Sequence, residues 1–289
     1  MGAYSALHDI SGIYRFDFNS YHKRFRKEKA IIVFESISDP VMQLSDRIIS
    51  LLFLRGDVAS SKEKYAYTIP ADLFSKRRDN GIPGMIPLRL IAQVGVQFED
   101  QKTEKYPEYD KIQSAEIKRR IADYERTGIA VSTTGELKLD TRGKTFSVVT
   151  PRSEVFTLHN GGMKGKRFHV RNADSFQTLA ALSLTDDPLA ESNSILILQL
   201  TDVSQEGVRF GNQERTILEK TSNGKHLLRK AKAEIELHVK GPMKVSACNM
   251  LGETIGEVKA TFRNGVLRFK ADNSAFKGGT VAYHLTPVK

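Results

Sequence analysis

The chain has one cysteine and no tryptophan in 289 residues. A single thiol excludes an internal disulfide and a cysteine-based metal site. Cys248 lies in an alternating apolar stretch, so we expect a small core residue rather than a reactive thiol. No apolar run approaches the roughly 20 residues of a membrane-spanning helix, and the N-terminus lacks the regions of a signal peptide. Composition therefore predicts a globular protein without a membrane span or an export signal.

Positive charge is in excess, with a formal net charge of +10 and an isoelectric point near 9.5. Residues 22–29 form one basic cluster with Tyr21 and Phe25 beside and within it, a composition that suits a phosphate backbone. Elsewhere, as in residues 111–126, acids are interspersed with bases, which is typical of a solvated helix face. No zinc-ligand spacing, helix-turn-helix pattern or aromatic RNA-binding signature accompanies the charge, so nucleic acid is not the expected partner.

The N-terminal part of the chain predicts alternating helices and strands. Residues 2–8 suit the last turns of a helix, and residues 13–18 alternate like a strand with aromatic side chains on one face. Asp39 and Pro40 supply a helix N-cap and a first helical residue, and apolar residues recur at helical spacing over residues 41–54. That spacing predicts an amphipathic helix.

A weaker pattern over residues 61–128 predicts a bridging α/β segment. Its predicted elements are a strand over residues 65–69, a short helix over 70–76 and a helix over 114–127.

From residue 129 onward the sequence predicts an all-β domain. Residues 134–152 contain two alternating runs around a Thr-Arg-Gly turn, which predicts a hairpin, and Asn264-Gly265 predicts a second hairpin with a two-residue turn. Further alternating runs occur over residues 167–170, 177–184, 194–200, 215–219, 233–239, 244–248, 256–262, 266–270 and 280–285. This spacing of short strands favours a β-sandwich.

Two sets of segments resemble a known family. Residues 2–9, the aromatic strand, and residues 34–40 and 52–58 resemble the end of a (β/α)8 barrel in large bacterial glycoside-hydrolase-like proteins. Residues 134–152, 181–189 and 194–198 resemble the β-sandwich that follows that barrel.

The resemblance predicts a mainly β fold class, in which a C-terminal β-sandwich is preceded by an α/β remnant resembling the last βα unit of a TIM barrel. The predicted division is a barrel-end remnant over residues 1–60, the bridge over 61–128 and the sandwich over 129–289.

The resemblance also implies a function. In such barrels two carboxylates on earlier strands act as general acid and as nucleophile or base. Those strands would precede residue 1, so the chain is expected to be the ancillary part of a polysaccharide-degrading protein and inactive alone. Its expected partners are a glycan and an upstream barrel domain or partner chain. Full-length relatives are expected to be secreted or periplasmic.

Four residues are candidates for substrate contact: Arg15, Asp17, Phe18 and Tyr21. Asp17 lies at the C-terminal end of the predicted strand, where barrel enzymes place functional groups, and Glu35 is a second carboxylate candidate. An aspartate paired with Arg15 would have a lowered pKa, which favours an ion pair or a sugar-hydroxyl contact over general-acid catalysis. Phe18 and Tyr21 are of a type that stacks on sugar rings. No catalytic residue is assigned.

The remaining motifs predict neither a metal site nor a cofactor. Five histidines are scattered through the β-segments without metal-ligand spacing, namely His159, His169, His226, His238 and His284. No nucleophile elbow, phosphate-binding loop or dinucleotide fingerprint is present. The glycine-rich basic residues 161–166 are interpreted as a mobile hairpin loop.

Two alternative functions remain open. The chain is alternatively a carbohydrate-binding module, although the absence of tryptophan weighs against tight sugar stacking. It is alternatively a basic surface for nucleic acid or another acidic polymer, whose affinity would fall steeply with salt.

Overall fold

A computed structural model of the chain describes residues 1–14, 17–18, 36–69, 85–99, 112, 114–213 and 215–288. Of these residues, 42% lie in strands and 16% in helices, so the prediction of a mainly β protein is confirmed. Contacts divide the chain into two compact units: Met1–Gly12 with Leu52–Thr150, and Ile13–Leu51 with Pro151–Lys289. The segment boundaries expected after residues 60 and 128 stay predictions.

Local capping chemistry sets the ends of the helices. Those in the described part of the chain are α1 (Gly2–Leu7), α2 (Pro40–Phe53), α3 (Met85–Ile91) and α4 (Ala115–Thr127). Helix α2 begins where the Asp39 carboxylate accepts the N–H of Met42 at 2.8 Å. Helix α4 begins at Ser114, whose hydroxyl accepts the N–H of Ile117 at 3.4 Å, and ends at Gly128 with φ 77°. The helices predicted over residues 41–54 and 114–127 are confirmed.

The first unit packs short helices against two groups of strands. Strand β1 (Lys64–Ile69) pairs in parallel with β2 (Gln93–Phe98), and β3 (Ile129–Val131), β4 (Leu137–Asp140) and β5 (Thr145–Val149) form an antiparallel meander. The core of this unit contains Tyr65, Leu88, Ile91, Ala92, Ile112 and Ile117.

His8 fastens α1 to this unit. Its Nε2–H donates to the carbonyl of Arg89 at 2.9 Å, and its Nδ1 accepts the N–H of Val94 at 3.1 Å. An imidazole that donates at one nitrogen and accepts at the other is neutral. Burial is the main cause that lowers the pKa of His8 below its ordinary value.

The second unit contains two antiparallel sheets. Its strands are β6 (Ser153–Leu158), β7 (Gly161–Lys164), β8 (Phe168–Ala173), β9 (Gln177–Ser183), β10 (Ile195–Leu200), β11 (Val203–Gln205), β12 (Arg209–Phe210), β13 (Leu218–Lys220), β14 (His226–Leu228), β15 (Lys232–His238), β16 (Met243–Cys248), β17 (Thr254–Val258), β18 (Ala260–Arg263), β19 (Val266–Asp272) and β20 (Ala282–Pro287). One sheet has the order β17-β16-β20-β10-β9-β6, and the other has the order β18-β19-β15-β8-β7. The pairs β11-β14 and β12-β13 lie apart from both sheets.

Aromatic contacts between the two sheets identify the sandwich. Phe156 on β6 stacks on Phe168 on β8 with ring centroids 5.4 Å apart, and Phe269 on β19 meets Tyr283 on β20 at 5.6 Å. Alternate residues of both sheets thus meet in one apolar layer, as in other sandwiches. Cys248 is buried in this unit, as predicted from its alternating surroundings.

The hairpin at Asn264-Gly265 has the predicted two-residue turn. Arg263 pairs with Val266, and the two turn residues have φ of 53° and 75°. The strand predicted over residues 256–262, however, is two strands that belong to different sheets. Because the alternation continues through Lys259, the pattern does not reveal where the chain leaves β17 for β18.

A barrel remnant is not confirmed. Of the strand predicted over residues 13–18, Ile13 and Tyr14 lie outside any strand, and Asp17 forms an isolated bridge. Arg15 and Phe16 lie outside the described residues, as does the predicted helix over residues 70–76.

Candidate binding groove on the five-stranded sheet

Strands β8 and β15 each present one polar face. On β8, Phe168 and Val170 are buried while His169 is half-buried and Arg171 is exposed. On β15, Ile235 and Leu237 are fully buried and point to the sandwich core. Because successive side chains of a strand point to opposite faces, the residues between them point away from the core. This places Glu236 and His238 on the outer face of the sheet.

Strand register assembles these side chains into one row. Lys164 on β7 pairs with His169, His169 pairs with Glu236, and Glu236 pairs with Arg268 on β19. Neighbouring strands are about 4.8 Å apart, so the row crosses four strands and spans about 14 Å.

Glu236 is the centre of this row. Its Oε1 accepts a hydrogen bond from Nε of Arg268 at 3.1 Å. Its Oε2 lies 3.3 Å from Nη2 of Arg171 and 3.6 Å from Nδ1 of His169. Burial alone would raise the pKa of Glu236, but the Arg268 hydrogen bond and the two arginine charges together lower it. The carboxylate is therefore ionised and holds two guanidinium groups in place.

The two histidines of the outer face lie edge to face. The ring centroids of His169 and His238 are 4.9 Å apart. Burial, followed by the charges of His169 and Arg167, lowers the pKa of His238, and Glu236 acts in the opposite direction.

These residues line an open groove of about 410 Å³. Its lining contains three fixed cations, two imidazoles and, among the described residues, one carboxylate. The lining residues are Gly162, Met163, Lys164, His169, Val170, Arg171, Glu236, His238, Val266 and Arg268. None of them is phenylalanine or tyrosine. The groove is suited to an anionic ligand with polar groups rather than to a flat apolar one.

A buried carboxylate fixes one rim of the groove. Glu154 on β6 accepts the backbone N–H groups of Lys166, Arg167 and Phe168 at 3.1, 2.8 and 3.0 Å. Burial raises the pKa of Glu154, against the lowering effect of these three donors. Glu154 therefore ties the connection between β7 and β8 to the opposite sheet.

The interpretation of residues 161–166 as a mobile hairpin loop is wrong. Residues 161–164 form the edge strand β7. The glycines reflect close approach, since a Cβ at Gly162 would lie 2.6 Å from the carbonyl oxygen of Val170, and one at Gly165 would lie 1.8 Å from a Glu154 oxygen. The sequence pattern was ambiguous because glycine marks both mobile loops and tight backbone packing.

Asp17 and Phe18, the two predicted contact residues that the structure describes, do not line the groove. Arg15 and Tyr21 lie outside the described residues, as does Glu35. Asp17 is half-buried, and Phe18 is 52% exposed with its carbonyl accepting the N–H of Ile37 at 3.1 Å. Their proposed contact with substrate stays a prediction.

A second cavity in the same unit is smaller and mainly apolar. It measures about 270 Å³ and is lined by Pro40, Val41, Val203, His226, Leu228, Asn249, Met250, Leu251, Gly278, Gly279, Thr280 and Val281. The Nε2–H of His226 donates to the carbonyl of Ser38 at 2.8 Å, which holds the chain before α2 beside β14.

Comparison with models of known protein families, with curated proteins and with solved structures finds no match. In the described part of the chain, no three histidine, cysteine, aspartate or glutamate side chains are grouped as a metal site requires. No helix among the described residues is long and apolar enough to cross a bilayer.

Sequence reasoning missed every charged residue of the groove. Alternation in β8 and β15 is visible in the sequence, so the outward orientation of His169 and Glu236 could have been predicted from it. The pairing of these two strands, 67 positions apart, carries no local signal.

Proposed function

We propose that this chain is a non-catalytic polysaccharide-binding protein, whose β-sandwich binds a glycan in the groove of the five-stranded sheet. The supporting observation is the row of ordered, chemically mixed side chains at the groove. Lys164, Arg171 and Arg268 are donors, and Glu236 is an acceptor. Sugars offer both donors and acceptors, so a surface that alternates the two suits them.

The groove does not suit glycosidic hydrolysis. Hydrolysis requires two carboxyl groups on either side of the scissile bond, one of them able to give a proton. Glu236 is the one carboxylate among the described lining residues, and Arg171 and Arg268 keep it ionised. A carboxylate held by two arginines is a positioning group, not a proton donor.

The resemblance to glycoside-hydrolase-like proteins gives this binding role its context. We propose that the chain serves a polysaccharide-degrading protein as its ancillary, glycan-holding part. This role requires adhesion to the polymer and no bond cleavage by the chain itself.

Native gel electrophoresis through gels that contain neutral and acidic polysaccharides tests the proposal. We expect at least one polymer to slow the protein, with no new reducing ends after incubation. A chain that migrates equally in all gels contradicts the proposed binding. Release of reducing ends that is lost in Asp17→Asn contradicts the non-catalytic role and restores Asp17 as a catalytic candidate.

A further inference from the structure

The groove has more donor capacity than its own carboxylate uses. Each guanidinium carries five N–H donors. Arg268 directs Nε to Glu236, and Arg171 directs one Nη2 to it. Their side chains are 46% and 63% exposed, so further N–H groups of both reach solvent at the groove. These donors, held on either side of Glu236, are arranged to bind an external anion.

The lining favours a carboxylate-bearing ligand over a neutral one. Arginine pairs with carboxylates through two parallel hydrogen bonds, which are shorter and stronger than those between neutral groups. Among the described lining residues there are three fixed cations and one carboxylate, so a neutral glycan would leave positive charge unpaired there.

Glu236 distinguishes an acidic glycan from nucleic acid. Ionised, it accepts hydrogen bonds and cannot donate them. The phosphodiester backbone of DNA presents acceptors, so Glu236 opposes it, whereas the hydroxyls of a sugar can donate to Glu236. None of the described lining residues supplies a phenylalanine or tyrosine ring on which a base could stack.

We infer that the groove binds an acidic polysaccharide, with uronate carboxylates on Arg171 and Arg268 and sugar hydroxyls beside Glu236. The polymer lies across the strands, along the row from Lys164 to Arg268. This inference rests on the proposed polysaccharide-binding function and names the ligand class of the same groove.

Polygalacturonate and its methyl-esterified form provide a matched pair of probes, since they share a backbone and differ in free carboxylates. We expect isothermal titration of the full chain to show binding of polygalacturonate and at least ten-fold weaker binding of the ester. Equal binding of both, or binding of neutral glucans only, overturns the acidic ligand while the proposed function stands. Failure to bind any polysaccharide contradicts both.

Substitutions then test whether polygalacturonate binding depends on the arginines of the groove or on the overall positive charge of the chain. Arg268→Gln and Arg171→Gln should each weaken polygalacturonate binding about ten-fold, because each removes a charge-assisted hydrogen bond. Arg209→Gln is the matched control, since Arg209 is also an exposed arginine in an ion pair, 3.1 Å from Glu219, and lies outside the groove. An equal loss in Arg209→Gln indicates general charge attraction and overturns the inference.

Glu236→Gln separates the two explanations further. General attraction predicts stronger binding when a negative charge is removed. A positioned site predicts binding several-fold weaker, because Arg171 and Arg268 lose the group that orients them. Stronger binding by this variant, or binding of double-stranded DNA as tight as that of polygalacturonate at the same ionic strength, overturns the inference.

Discussion

The sandwich interior and the outer face of the five-stranded sheet each contain a polar cluster, and the two are satisfied in different ways. Inside, the Gln199 amide donates to Gln177 at 2.9 Å and to the carbonyl of Ala231 at 3.3 Å, and it accepts from Tyr283 at 3.1 Å. These groups are neutral, and the two glutamines and the tyrosine are fully buried. Outside, Glu236 is charged, and its arginine partners retain N–H groups that face solvent.

The difference separates stability from binding. A buried polar group without a partner loses its hydration and gains nothing, so each member of the interior network is needed by the others. The two outer arginines are 46% and 63% exposed, and Glu236 keeps other partners when one of them is removed, so loss of a single arginine changes folding little. We therefore expect substitutions inside to change the free energy of unfolding and those outside to change affinity.

The largest expected effect is that of Gln199→Ala. Removal of its amide takes away the donor to the Gln177 side-chain oxygen and the side-chain acceptor of the Tyr283 hydroxyl, and it opens a cavity, so the free energy of unfolding should fall by about 3 kcal/mol. Urea unfolding followed by circular dichroism measures this change. The control is Gln213→Ala at an exposed glutamine, which should fall within about 0.5 kcal/mol of the parent chain. Similar losses in both variants would contradict the role of the network.

Glu154→Ala tests a carboxylate that we expect to contribute both to the stability of the sandwich and to binding at the groove. Three backbone N–H groups would lose their acceptor, so the free energy of unfolding should fall by about 2 kcal/mol. Affinity for polygalacturonate should also fall, because the rim that follows Lys164 loses its attachment. Glu191→Ala, at an exposed glutamate, is the matched control for urea unfolding and titration. Unchanged hydrogen exchange at residues 166–168 would show that Glu154 does not hold this segment.

Arg268→Gln should give the opposite result to Gln199→Ala. The arginine side chain is 46% exposed, so we expect the free energy of unfolding to change by less than about 1 kcal/mol while binding weakens. The same urea and titration experiments measure both quantities. A stability loss as large as that of Gln199→Ala would mean that the outer cluster is structural. It would contradict the proposed difference between the interior network and the outer cluster.

The smallest expected effect is a pH dependence of stability. The pKa values of His8 and His238 are lowered in the folded chain, chiefly by burial. For a lowered histidine pKa, the stabilising contribution is present above the unfolded value near 6.5 and is lost as pH falls below it. The urea midpoint of unfolding should therefore be lower at pH 5.5 than at pH 7.5, and His8→Gln should reduce this difference. An unchanged pH dependence in His8→Gln would contradict the contribution of His8.

Sequence alone predicted the elements whose signals are local. Asp39 and Ser114 cap helices that were expected, and Asn264-Gly265 turns a hairpin that was expected, because each signal lies within four residues of its effect. The mainly β class follows from alternation summed along the chain.

The groove was not predicted, because tertiary contacts create it. The pairing of His169 with Glu236 depends on long-range register, and the order of residues 166–168 depends on Glu154, which lies more than ten positions away. Alternation gives the face of a side chain but not its neighbour on the next strand. Predicted site residues were instead chosen by resemblance, and they lie apart from the groove or outside the described residues.

The three backbone hydrogen bonds to Glu154 affect which side chains beside the groove can be substituted. Glu154 accepts hydrogen bonds from the main-chain amides of Lys166 and Arg167, and the side chains of these two residues are exposed. Those two positions can therefore be exchanged without displacing the backbone beneath them. A library randomised at Lys166 and Arg167 offers a way to retune which polymers this protein prefers while its scaffold stays intact.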